Sequence, residues 1–319
     1  MAAAPFAFRR VRDFLHEEYD RAFRHDHWNV GMVDAPIRAF LEPDFDPEVR
    51  WFPPPPPGKY YADPFGRAVG NATYVFFEAF DFRTDKGSIA YVRAHPDGSV
   101  SEPRIAIDLP HHASYPFLVE REGSAYCIPE TAAAHEIALY RAVEFPDRWE
   151  KAATLVPGFA GSDNTLLEHD GLLWLFCTDF DDGAFSKLRL WYARDLLGPW
   201  RPHAANPVKT DPQSARPAGT PFVVDGEVFR PAQDSSATYG GRVVVNRIIR
   251  LTPTEFREEP AATIGPFRSG PYAHGLHTLS ALGDRTLVDG KWIAFNRFEM
   301  TRHMRESLED RWPRILVRR

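Results

Sequence analysis

Cysteine is almost missing from this chain: 319 residues carry two, Cys127 and Cys177, each inside an apolar strand-like run ("AYCIP" and "WLFCT"). So few thiols exclude a disulfide framework; buried free thiols and a reducing, cytoplasmic location are the expectation. Long hydrophobic runs are missing too. No stretch approaches the roughly 18 apolar residues needed to span a bilayer. The N-terminus "MAAAPFAFRRVRDFLHEEYD" has no apolar region of secretory length, so no signal peptide is expected. There is no basic excess either. A net charge of -6, with arginines clustered only in the terminal "RWPRILVRR", argues against nucleic acid as a partner. The sequence contains no GxGxxG, no P-loop, no nucleophile elbow and no Cys/His zinc set, so no cofactor or metal is expected.

Turn formers and aromatics are plentiful: 29 Pro, 21 Gly, 24 Phe, 11 Tyr and 8 Trp, within 44% hydrophobic and 26% charged residues. Frequent turn punctuation between aromatic and β-branched runs points to an all-β architecture. Helical periodicity is visible only around 8–23 and near 298–312.

Between those ends the chain repeats. "ADPFGRAVGNATYVFFEAF" (62–80) is answered by "SYPFLVEREGSAYCIPET" (114–131), "SDNTLLEHDGLLWLFCTDF" (162–180), "GTPFVVDGEVFRPAQD" (219–234) and "HTLSALGDRTLVDGKWIAFNRF" (277–298). Each unit has a small or polar opening, an apolar strand, a charged Gly-containing turn and a second apolar strand. Third strands such as "GSIAYVRAHPDG" and "LRLWYARDLLGPWRP" follow. The markers Pro64, Pro116, Asn164, Pro221 and Thr278 are spaced by 52, 48, 57 and 57 residues. Periods near fifty with several strands per unit are the signature of propeller blades. The expectation is one domain: a helical or extended lead-in over 1–50 packed on a five-bladed β-propeller over 51–319, with blades starting near 62, 114, 162, 219 and 277. A generic β-sandwich would not repeat a polar residue at one phase of every unit.

In a propeller the first strand of each blade lines the central channel, and the second strand returns to the mouth where the first began. Two sets of residues then converge. One holds Asp63, Tyr115, Asp163, Thr220 and His277; the other holds Glu78, Glu130, Asp179, Asp181, Gln233, Asp234 and Arg297, with Arg230 slightly inward. Carboxylates forced together in a partly dry site repel, and their pKa values are driven apart. Such a set supplies an ionised carboxylate beside a protonated acid, the pair that glycoside cleavage requires. Tyr60, Tyr61, Tyr115 and Trp174 are aromatic candidates for stacking on a sugar, Trp174 being equally a core residue. Arg230, inside an apolar strand, needs either an acid across the mouth or an anionic substrate as partner. The "TDFDDG" acids Asp179, Asp181 and Asp182 lack the full spacing and closing Glu of an EF-hand loop. The run "WFPPPPPGKYY" (51–61) reads as a stiff strut into blade one.

"YADPF" followed by a strand, with "LWYARDLLGPW" later, resembles the five-bladed propeller glycosidases of the fructofuranosidase and arabinofuranosidase type. The ordered set "WNVGMVDAPI", "YYADPF", "RPAQDSSATYGGRVVVNRI" and "GLHTLS" is more closely similar to the propeller domain of plant glucosamine inositolphosphorylceramide transferases and its stand-alone bacterial relatives, over roughly residues 28–298. The glycosidase resemblance implies that Asp63 is the catalytic base or nucleophile. It departs from the pattern in blade two, where "SYPF" offers Ser114 and Tyr115 instead of an acid, and in blade three, where "SDNT" offers Asp163 instead of Glu. The acid is then Glu130 or Asp163, with Tyr61, Glu78, Tyr115, Asp179, Arg230, Asp234, His277 and Arg297 as substrate-binding candidates. The expected activity is cleavage or transfer of a glycosyl unit, furanosyl units included, from a carbohydrate or glycoconjugate. The alternatives are a non-catalytic glycan-binding or partner-docking propeller, an accessory to glycosyl transfer in polysaccharide or glycolipid biosynthesis, and a metal-dependent hydrolase using the "TDFDDG" acids with His277.

Overall fold

The computed structural model describes residues 24–295, and both stretches with helical periodicity, 8–23 and 298–312, lie outside them, as does Arg297. The described chain forms five antiparallel sheets arranged as the blades of a five-bladed propeller. Blade one runs Lys59–Val69, Ala72–Asp81, Lys86–Ala94 and Arg104–Ile107. Blade two runs Ser114–Arg121, Ser124–Glu130, Glu136–Glu144 and Arg148–Pro157. Blade three is Gly161–His169, Leu172–Asp179 and Lys187–Ala193, edged by the short strands Arg201–Pro202 and Lys209–Thr210. Blade four is Phe222–Val224, Glu227–Asp234, Arg242–Leu251 and Phe256–Ile264.

Blade five is assembled from both ends of the described chain. Leu279–Leu282 and Arg285–Phe295 supply its inner half, and Arg24–Val33 and Arg50–Trp51 its outer half. Residues 24–33, read from sequence as part of a lead-in, are thus a strand paired in register from Arg24↔Phe295 to Val33↔Thr286. This strand closes the ring non-covalently.

The repeat has a local cause. In blades two, three and four the first hairpin turns at Glu122-Gly123, Asp170-Gly171 and Asp225-Gly226, with positive φ at both residues of each pair. That is the type I′ geometry whose twist matches a β-hairpin, and it favours X-Gly pairs of this kind. Packing then follows from alternation along each strand. Five apolar seams fill the gaps between neighbouring blades. Phe76, Ile89 and Tyr91 meet Cys127, Ala138 and Tyr140 between blades one and two. Ile137 and Leu139 meet Leu175 and Trp191 between two and three. Trp174 and Phe176 meet Val228 and Leu251 between three and four, so Trp174 is a core residue. Val243 and Val245 meet Leu279 and Val288 between four and five, and Val30, Met32 and Leu287 meet Tyr61, Val75 and Phe77 to close the circle. Both cysteines are free and buried in these seams.

Candidate active site

The mouth is built by a backbone device repeated three times. Asp63, Tyr115 and Asp163 occupy the same phase of blades one, two and three, and all three have left-handed backbone, with φ of 54°, 46° and 53°. At each the ladder slips, between Ala62 and Phe65, Ser114 and Phe117, and Ser162 and Thr165. The extra residue of a β-bulge re-aims a side chain. Aspartate tolerates the left-handed region; tyrosine there costs on the order of 1 kcal/mol or more and needs fixed partners. Tyr115 has them: its hydroxyl accepts the Gly219 N–H at 2.6 Å and lies 2.8 Å from Thr165 Oγ1.

Asp63 is buried, and Thr278 Oγ1 donates to its Oδ1 at 2.9 Å. Its backbone N–H donates to Asp289 Oδ2 at 3.1 Å. Asp289 also accepts the N–H groups of His277 and Thr278, each at 3.0 Å, and its Oδ2 lies 2.6 Å from His277 Nδ1. The far nitrogen of His277 is 3.8 Å from Asp63 Oδ1. Against burial, which disfavours an imidazolium, Asp289 and Asp63 hold His277 above the usual histidine range. Asp289 is held below the carboxylate range by His277 and its backbone donors, which outweigh burial. Burial pushes Asp63 up to about 6; His277 pulls it down, while Asp163 and Asp289 raise it.

Across the mouth Asp163 is gripped by Arg216, whose Nε and Nη2 donate to its two oxygens at 2.5 and 3.1 Å, and by Gln233 Nε2 at 2.7 Å. Glu130 Oε2 accepts the Asp163 N–H at 3.0 Å and stands 3.6 Å from Arg216 Nη2. Burial lifts Asp163 to about 6 despite Arg216, and it raises Glu130 as well. Both acids remain tied to one guanidinium, which is itself covered by the rings of Phe185 and Tyr239 at 5.3 and 5.6 Å.

Glu78 differs. It pairs with Ala62 across the first hairpin of blade one, so it shares a face with Tyr60. The Tyr60 hydroxyl donates to its Oε1 at 3.4 Å, and His112 Nε2 is 3.5 Å from the same atom. Burial, Asp63 and Glu130 push the Glu78 carboxyl well above its ordinary range. Among the described residues no lysine or arginine is paired with it.

The structure therefore brings together Asp63, Glu78, Tyr115, Glu130, Asp163 and His277. Four other candidates lie elsewhere. Tyr61 packs in the seam between blades five and one, its ring 4.8 Å from Phe77, because strand alternation turns Tyr60 to the mouth instead. Arg230 is fully buried within blade four, where Glu258 accepts from its Nε and Nη2 at 2.9 and 2.6 Å. Its partner is neither an acid across the mouth nor a substrate. Asp179 is held by Arg189 at 3.3 Å, and Asp234 by Arg242 at 3.3 Å and Ser236 at 2.6 Å. The remaining "TDFDDG" acids pair with His135, Lys187 and Arg189, not with His277. Sequence reasoning missed Arg216, Asp289, Tyr239 and Trp28, whose indole stacks on His277 at 3.9 Å. Among the described residues one trio, Asp63, His277 and Asp289, brings a ligand atom from each within 4.8 Å of the others and could hold a cation.

Residues 54–296 match the family described as glucosamine inositolphosphorylceramide transferase 1, N-terminal. The chain belongs to this family. Over 245 residues it is 35% identical to glucosamine inositolphosphorylceramide transferase 1 of Oryza sativa subsp. japonica, covering 75% of this chain and 33% of that protein. The Arabidopsis thaliana protein of the same name is 36% identical over 210 residues, covering 63% of this chain and 27% of its own length. The chain thus spans about a third of the length of the curated relatives it matches. Among solved structures it is similar to the catalytic domain of a Coprinopsis cinerea GH62 alpha-L-arabinofuranosidase (TM-score 0.51, 13% identity, 70% of this chain and 78% of that one). It is also similar to an exo-beta-1,3-galactanase from Clostridium thermocellum (TM-score 0.52, 11% identity, 68% and 56%). A family 117 glycoside hydrolase from Zobellia galactanivorans gives a TM-score of 0.50 at 15% identity over 69% and 73% of the two chains. These three likenesses are of fold.

Proposed function

We propose that this family member acts on a carbohydrate or glycoconjugate, cleaving or transferring a glycosyl unit at the propeller mouth, with Asp63 as the ionised base or nucleophile. The observation that carries the reading is the imbalance of buried charge. Asp63, Glu78, Glu130, Asp163 and Asp289 share the site with two cationic groups, Arg216 and His277. Five carboxyls and two cations in a low-dielectric pocket cannot all be ionised at neutral pH, so an acid and a base coexist. A propeller related in fold to glycoside hydrolases and a family named for a glycosyl-transferring enzyme both accord with that chemistry. Transfer in place of hydrolysis needs a hydroxyl acceptor that excludes water from the same site.

The test is a panel of aryl glycosides, furanosides included, with Asp63→Asn as control. Turnover by the wild type that falls at least about 10³-fold in Asp63→Asn supports the reading; turnover that survives removes Asp63 from the mechanism.

A non-catalytic glycan-binding or docking propeller is the second reading. It is favoured by blade two, where the Tyr115 hydroxyl is committed to Gly219 and Thr165. Glycan binding by isothermal calorimetry without turnover on any member of the panel would select it.

A further inference from the structure

Every carboxyl of the mouth but one can be assigned a cationic partner among the described residues. Asp163 and Glu130 share Arg216. Asp289 and Asp63 flank His277. Among the described residues Glu78 has neutral neighbours and other acids: Tyr60 from its own blade, Tyr239 from blade four, His112 from the segment between blades one and two, and Asp63, Glu130 and Asp163 around it. His112 adds no charge. Its Nδ1 accepts the Gly87 N–H at 3.0 Å, which leaves the ring proton on Nε2, the atom facing Glu78. Burial, the main cause, lowers its pKa to about 4.

Both protein donors near Glu78 converge on one oxygen, Oε1; no hydrogen bond reaches Oε2 among the described residues. Space for the carboxyl is reserved in the backbone. A Cβ on residue 87 would lie 2.5 Å from Oε1 and 2.8 Å from the carbonyl oxygen of Ala113, so Gly87 is the residue that admits this side chain.

Resting on the glycosyl-cleaving reading, we infer that Glu78 is the general acid of the site, in place of the Glu130 or Asp163 that the sequence suggests. Its carboxyl O–H gives the proton to the glycosidic oxygen as the bond from that oxygen to the anomeric carbon breaks, so the leaving alcohol departs neutral and Glu78 becomes a carboxylate. Asp63 takes the proton of the attacking water or acceptor hydroxyl as the new bond to the anomeric carbon forms. One proton then passes from Asp63 through solvent back to Glu78, and both groups are restored. Asp163, held by three donated hydrogen bonds, remains an acceptor throughout.

The isosteric Glu78→Gln variant tests this by leaving-group dependence. An acid is dispensable when the leaving group is a stable anion, so the comparison uses the 2,4-dinitrophenyl and the methyl glycoside of the sugar the wild type turns over. Glu78→Gln should lose about 10²–10⁴-fold in kcat on the methyl glycoside and less than about 10-fold on the dinitrophenyl one. It should also lose the basic limb of the pH profile. Equal losses on both substrates would overturn the assignment while leaving the glycosyl-cleaving reading intact. A wild type inactive on every glycoside would overturn that reading and this one with it. Independently of any substrate, the infrared difference spectrum of wild type minus Glu78→Gln at pH 7 should contain a protonated-carboxyl C=O band. Its absence would show Glu78 ionised and end the proposal.

Discussion

Trp28 lies flat against His277, ring centroids 3.9 Å apart and planes 9° from parallel. The two residues come from opposite ends of the described chain, so this stack forms only when Arg24–Val33 closes blade five. Stability and site electrostatics meet in one contact: the indole is buried, and its face favours the imidazolium wedged between Asp289 and Asp63. Trp28→Leu is expected to cost about 3 kcal/mol in chemical denaturation, in the range of large-to-small core substitutions, and to lower the His277 pKa in an NMR titration. An unchanged His277 titration would mean that the stack is packing alone.

His277 itself links the fold to pH. Its folded-state pKa lies above the unfolded value of about 6.5. The stability it contributes is therefore fully present below pH 6.5 and is lost as pH rises through the raised pKa. Replacing it with glutamine should flatten the alkaline side of the stability curve, read as denaturation midpoint against pH. A parallel downward shift at every pH would assign His277 a packing role without titration.

Asp63 gives a slope of the same sign for a different reason: it gains an unfavourable buried charge where His277 loses a favourable one. Its pKa of about 6 lies above the ordinary 3.8, so the unfolded chain ionises first and stability falls as pH rises between about 4 and 6. Above pH 7 the whole penalty is present, about 3 kcal/mol at most at 1.36 kcal/mol for each pH unit. Asp63→Asn should then abolish turnover while raising the midpoint of denaturation at pH 8, with little gain at pH 4. A variant destabilised equally at both pH values would show that the Thr278 hydrogen bond outweighs the buried charge.

How much of this was legible in the residues depended on whether a signal repeated. Blade phase could be read because the type I′ turns recur as EG, DG and DG, and because the same bulge puts Asp63, Tyr115 and Asp163 in one place. Single-residue choices could not. Tyr60 and Tyr61 are adjacent and alike, and only the register of Tyr60 with Phe80 decides which faces the mouth. Asp289 was hidden by Gly290: the pair has the composition of a turn, yet it lies inside Arg285–Phe295, paired with Val30 and Asn29, and 290 is glycine because a Cβ there would be 2.3 Å from the Trp51 ring. Arg216 lies between strands, in no repeat, and nothing local announces that it will reach Asp163, 53 residues earlier.

Arg216 is expected to be the most costly mouth residue to remove. Its guanidinium compensates Asp163 and Glu130 together, and breaking a buried pair from one side typically costs about 3–5 kcal/mol. Arg216→Met should show that loss at pH 8 and a smaller one at pH 5, where the two orphaned acids can take up protons. Equal losses at both pH values would indicate that its packing between Phe185 and Tyr239 dominates.

Arg230 provides the last discrimination, between a structural and a ligand-binding arginine. Besides its pair with Glu258, it donates to the carbonyls of Ser214 and Ala215 at 2.8 and 3.2 Å, immediately before Arg216 in the chain. Lys209 reaches the same Glu258 at 2.9 Å, so the acid is shared between two cations. Arg230→Met should lower stability by about 3 kcal/mol by leaving a buried carboxylate short of one partner. The double variant Arg230→Met/Glu258→Leu should recover part of that loss, since a well-packed apolar pair can replace a buried ion pair. Neither should change KM for a glycoside, because the guanidinium is spent inside blade four. A large rise in KM with unaltered stability would place a substrate anion on Arg230 and contradict the enclosure that Glu258 provides.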